Sequence, residues 1–175
     1  MRLSLMVGLA LIGATPAFAD EVDWQLHGFA TIENASEVCF FDANNVIQEG
    51  GGRLRVWTKC LDQQKLMSTE LDKTTTEKAA RKIVDGYVPP LVIIGVMKFD
   101  QITDVVAAEE VANLNNIEPR ARMLLEFNCV EQKVRTLSVH FRGNNGQVGF
   151  SSKPSDWDYI APETNVGRLQ KILCR

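Results

Sequence analysis

Apolar and polar side chains alternate every second residue at both ends of this chain, while the middle shows helical spacing. Residues 37–42, Glu-Val-Cys-Phe-Phe-Asp, and 53–61, Arg-Leu-Arg-Val-Trp-Thr-Lys-Cys-Leu, read as β-strands. Between them Gly50-Gly51-Gly52 supplies the positive backbone angles of a tight reversal, so the two runs read as a hairpin. Alternation places Leu54, Val56 and Cys60 on one face of the second strand and Arg53, Arg55 and Lys59 on the other. Trp57 interleaves that basic row. Cys39 and Cys60 stand at similar distances from the turn and should face each other.

The C-terminal third repeats the pattern. Met123, Leu125, Phe127 and Cys129 point one way, and Glu126 and Asn128 the other. In 133–142, Leu137, Val139 and Phe141 alternate with Ser138 and His140. Gly143-Asn144-Asn145-Gly146 predicts a hairpin turn, since Asn and Gly tolerate left-handed backbone, and 147–151 would be the returning strand. From Pro162 to Cys174 the period changes to helical, with Val166, Leu169, Ile172 and Leu173 on one stripe. In the middle, Thr74-x-x-Glu77 reads as a capping box, Lys78 to Val84 as helix, and Gly86 as its stop. Pro89-Pro90 breaks the chain. Leu91 to Phe99 is either a buried strand or the end of a buried helix, which periodicity does not separate. Ile102, Val105, Val106 and Val111 suggest a second short helix. The expected fold is α+β: one antiparallel sheet, a flanking C-terminal helix and a partly helical insertion over 66–118. No repeat, low-complexity tract or linker divides it.

Composition adds compartment. Met1-Arg2, an apolar run from Leu3 to Ala14 and Ala17-Phe18-Ala19 form the three parts of a secretory signal peptide, expected to span 1–19. The run is shorter than the roughly 20 apolar residues of a spanning helix. Cleavage after Ala19 leaves residues 20–175, the size of one domain. Only Arg2 is lost among charged groups, so 18 cations face 22 anions, a net charge of −4. That gives no electrostatic case for nucleic acid. The later run Leu91 to Met97 is too short to span a bilayer. The cleavage site carries no Cys for lipid attachment. A periplasmic or secreted protein is expected.

Export governs the reading of Cys39, Cys60, Cys129 and Cys174. An even count in an oxidising compartment favours disulfides over metal ligands, and no C-x-x-C occurs. Of the three possible connectivities, the hairpin pairs Cys39 with Cys60. That leaves Cys129 with Cys174, stapling the terminal helix to a central strand.

Little else suggests chemistry. His27 and His140 are the only histidines, no G-x-S-x-G occurs, and Ser151 and Ser152 have no partner base in view. Glu109 and Glu110 are adjacent on the expected helix and read as a solvated face rather than an acid–base pair. Asn34-Ala-Ser36 matches a glycosylation sequon, incidental after bacterial-type export. No catalytic, metal or cofactor-binding residues are assigned, and no cofactor is expected. The row Arg53, Arg55, Trp57 and Lys59 is a candidate ligand face, with a solvated strand face as its simpler reading.

Leu124-Leu-Glu-Phe-Asn-Cys129, Val134-Arg-Thr-Leu-Ser138, Gly146, Trp157, Ile160-Ala-Pro162 and Leu173-Cys174 together resemble the surface-adhesin protein E family, as do Phe40-Phe-Asp42 and Val56-Trp-Thr-Lys59. The resemblance covers both ends of the mature chain but not 66–118. It implies a small exported bacterial protein with an antiparallel sheet and flanking helix, and the same Cys129–Cys174 pairing. The family's named member is an outer-membrane lipoprotein that binds host matrix and serum proteins and can dimerise. This chain lacks that member's lipid-attachment Cys. The expected function is a non-catalytic binding protein of the cell envelope, with adhesin-like recognition of a protein or envelope ligand and a homodimer as one possible state. A periplasmic hydrolase with carboxylate chemistry and a structural partner of an envelope assembly are the alternatives.

Overall fold

The computed structural model describes residues 22–32, 35–69, 72–98, 101–114, 117–142 and 148–175. The expected signal segment 1–19 and the Gly143–Gly146 turn lie outside them. The described strands are β1 (Trp24–Ile32), β2 (Ala35–Asp42), β3 (Ile47–Gly50), β4 (Arg53–Asp62), β5 (Ala121–Asn128), β6 (Lys133–Arg142), β7 (Val148–Ser151) and β8 (Asp158–Tyr159). They form one antiparallel sheet in the order β1-β2-β4-β5-β6-β7, with β3 also on β4 and β8 also on β6. Among the described residues four helices, α1 (Gln63–Ser68), α2 (Lys73–Val84), α3 (Pro90–Ile93) and α4 (Ile102–Asn113), lie between β4 and β5, and α5 (Asn165–Leu173) lies near the C-terminus. This is the expected α+β arrangement. None of the described helices is long and apolar enough to cross a membrane.

The first hairpin has a broken arm. β3 and β4 flank the reversal, where Gly50, Gly51 and Gly52 have φ of 78°, 60° and 73°, the left-handed region only glycine enters freely. β2 lies farther along the same edge of β4, and Cys39 stands directly opposite Cys60 and is bonded to it.

Two layers close the sheet. On one face Phe41, Leu54, Val56, Leu125 and Phe127 pack with Leu169 of α5, and Val166, Ile172 and Leu173 join them. Thr164 caps α5 by accepting from the Gly167 amide at 3.1 Å. A Cβ at Gly167 would lie 2.4 Å from the Ala161 carbonyl, so the residue lets the helix start close against its own approach. Cys129–Cys174 ties this helix to the end of β5.

On the other face Trp24, Leu26, Val38, Phe40 and Leu61 pack beneath Leu66, Leu91, Val105, Val111 and Ala112 of the insertion. α2 begins two residues before the expected capping box: Asp72 is its cap, accepting from the Thr75 amide at 2.7 Å, which leaves Thr74 and Glu77 inside the helix. Gly86, at φ 81° just past its end, stops it as expected, with Tyr87 N–H on the Lys82 carbonyl at 2.9 Å. Of the segment 91–99, Leu91 to Ile93 are helical, 94–97 form turns and bends rather than a strand, and Phe99 lies outside the described residues. Pro90 occupies the first turn of α3, where its fixed φ suits a helix, and Gly95 at φ 74° follows its end. In β6 the expected inward row fails. The register shifts between Leu124 and Leu125, so alternation does not carry through Leu137, and Phe141 is 50% exposed.

Candidate ligand-binding site

The four residues of the basic row do not make one surface. Lys59 is 0% exposed, a correction to its expected outward position. Its Nζ donates to the Ala112 carbonyl at 2.8 Å, in the last turn of α4, and sits 4.3 Å from the Trp24 ring centroid. The negative end of the helix favours a cation there. Burial and the neighbouring Arg122 guanidinium still push the Lys59 ammonium down to about 7. Arg55 is held by carboxylates, Glu49 at 3.0 Å and the buried Glu126 at 3.6 Å. Arg135 takes the other oxygen of Glu126 at 2.5 Å and lies 4.6 Å from the Trp157 ring centroid. Arg53 is exposed opposite Asn128. Trp57 is half-buried and packed against the insertion-side core.

Trp57 instead belongs to a different constellation. With Val22, Trp24, Asp42, Arg122 and His140 it lines a cavity of about 330 Å³ on the insertion side of the sheet. The register assembles it. Trp24 pairs with Asp42 across β1 and β2, while Lys59, Arg122 and His140 form one row across β4, β5 and β6. The Asp42 carboxylate is occupied, accepting from the Asp23 amide at 3.3 Å and from Asn45 Nδ2 at 2.8 Å. Trp24 is 6% exposed, and its indole Nε1 is buried without a hydrogen-bond partner. Arg122 and His140 are exposed, the imidazole 4.4 Å from the Phe150 ring. A second cavity of about 310 Å³ shares Arg122 and His140 and continues to Phe141, Arg142 and Val148. Position along the chain concealed Trp24, Arg122 and His140, because only cross-strand pairing places them beside Trp57.

The backbone around this cavity is clamped by α4. Glu109 Oε1 accepts from the Leu26 amide at 3.0 Å and Asn113 Oδ1 from the Trp24 amide at 2.8 Å. Residues four apart on a helix thus meet amides two apart on edge strand β1, covering donors that an edge otherwise leaves open. Glu109 and Glu110 are 0% and 2% exposed, which corrects their reading as a solvated face. Glu110 pairs with Lys82 at 2.7 Å and Lys78 at 3.5 Å on α2. α4 is packed between sheet and α2, so more than one of its sides is buried. Burial pushes the Glu109 carboxyl up to about 7. Burial and the Glu109 charge also push the Tyr87 phenol up.

His27 lies on the opposite side of β1, 4% exposed and edge-on to Phe41, with ring centroids 6.3 Å apart. Burial, with Arg168 of α5 adding to it, pushes its imidazole down to about 4. The two disulfides fit an oxidising compartment. No family model matches the chain, and no curated protein or solved structure matches it.

Proposed function

We propose that this chain is an exported, non-catalytic binding protein of the cell envelope, acting in the periplasm or after release, with adhesin-like recognition of a protein ligand. The observation that carries this reading is the Trp24–Trp57 cavity. Its walls combine indole surface with an arginine, two of the residue types in which interface hot spots are enriched, beside His140. Its floor is pre-formed by strand pairing and by the α4 clamp, so a ligand need not order it. The buried Trp24 Nε1 is a donor without a partner. The disulfides and the adhesin-like sequence pattern support an envelope setting.

The test is capture from cell envelope with oxidised residues 20–175 as bait, beside a Trp57→Leu variant that keeps apolar packing. We expect the partner captured by the natural chain to be lost by the variant at an unchanged melting temperature. Equal capture by both chains would remove this cavity from the reading.

A further inference from the structure

The cavity sets an exposed arginine beside indole surface on a chain whose balance is acidic. Lys59 is buried beside it, Arg122 stands directly across from Lys59, and His140 directly across from Arg122. Among the described residues Arg122 makes no ion pair and no side-chain hydrogen bond, while the one carboxylate lining the cavity, Asp42, is taken up by Asp23 and Asn45. Those neutral donors leave the Asp42 charge in place, and it acts on Lys59, while the Arg122 guanidinium keeps its donors for a ligand's anion.

The spacing says what carries that anion. Trp57 pairs with Leu124, so Arg122, two residues along β5 on the same face, is its diagonal neighbour. Diagonal neighbours on a sheet stand about 7–8 Å apart. In an extended peptide, side chains two residues apart point the same way and are about 6.7 Å apart. We infer that the cavity takes an extended peptide segment, with an apolar or aromatic residue over Trp57 and an Asp or Glu two positions along on Arg122. This rests on the binding reading above and adds its ligand chemistry. The line continues to Arg142, the diagonal neighbour of Arg122 on β6, but Arg142 is already paired with Glu118. A second acid on the peptide would compete with Glu118 and adds little.

The experiment follows the tryptophan Nε1–H signals of isotope-labelled, oxidised residues 20–175 by NMR. The probes are acetyl-Gly-Leu-Ser-Glu-Gly-amide, its Gln analogue, a peptide with Leu and Glu adjacent, and a linear oligomer of galacturonic acid. We expect saturable shifts at Trp57 with the first peptide and affinity at least about tenfold weaker for the Gln analogue, for the adjacent arrangement and for Arg122→Gln. Arg122 is exposed, so Arg122→Gln should keep the natural melting temperature. Equal affinity for the Glu and Gln peptides, or for the natural and Arg122→Gln chains, overturns the acid subsite while leaving the binding reading intact. Binding that ignores Trp57→Leu removes the binding reading at this cavity as well. Arg122-dependent binding of the sugar acid without the peptide overturns the peptide assignment. No response to any probe at millimolar concentration overturns it too.

Discussion

The two faces of the sheet are closed by different means. The α5 face joins Phe41, Leu54, Val56, Leu125, Phe127 and Leu169 in an apolar cluster and fastens it with Cys129–Cys174. The insertion face has an apolar cluster of its own but threads charge through it: Lys59 on Ala112, Glu109 on the Leu26 amide, Glu110 on Lys82. Apolar burial is non-directional and fastens a helix to a sheet with little demand on geometry. Buried ions add little net stability once desolvation is counted, but they demand specific partners and so set position. The insertion is thereby held in one place over β1, whose Trp24 lines the cavity.

The largest expected effect separates the two means of closure. Replacing Cys129 and Cys174 together by Ser should cost about 4 kcal/mol, the loop-closure estimate for a bridge of sequence separation 45. Denaturant unfolding measures it. A loss below about 1 kcal/mol would mean that packing by α5 suffices without the staple.

Acidification should act on the two faces in opposite directions. His27 titrates near 4 in the fold against an ordinary 6.5, so the unfolded chain takes the proton first, and stability is lost as pH falls from about 6.5 toward 4. Glu109 titrates near 7 against an ordinary 4.5, so the folded chain is penalised at neutral pH, and stability is regained as pH falls from about 7 toward 4.5. Each difference corresponds to roughly 3 kcal/mol. Lys59, titrating near 7 against 10.5, is mostly protonated in both states below pH 6.5 and leaves this window nearly untouched. Global unfolding should therefore change less than either local effect. Hydrogen exchange resolves them: between pH 6.5 and 5, protection should rise in α4 and fall in α5. Glu109→Gln should abolish the rise and His27→Gln the fall. Parallel changes in both helices would show that the faces do not respond separately.

The smallest effect tests the charge itself. Lys59→Met keeps the length of the side chain and removes the buried cation, so stability should change by about 1 kcal/mol or less in either direction. A loss of about 3 kcal/mol, read by thermal unfolding, would show that the bond to Ala112 and the contact with Trp24 outweigh desolvation.

The sequence by itself determined what rests on local period and spacing. The hairpin glycines, the Cys39–Cys60 pairing and the stripe Val166, Leu169, Ile172 and Leu173 on α5 were all legible, because each rests on a local turn or on one buried stripe. Helix α4 was legible as a helix but not in its charges. Glu109 and Glu110 read as exposed on an isolated helix and become buried only because sheet and α2 press on it from different sides. Lys59 read as outward because strand alternation reports a face without reporting what covers it. Only the tertiary structure decided that α4 covers Lys59, and that a register across five strands gathers Trp24, Trp57, Arg122 and His140 around one cavity. Such a register is a sum of pairings between residues as far apart as Arg53 and Asn128, and no local period encodes it.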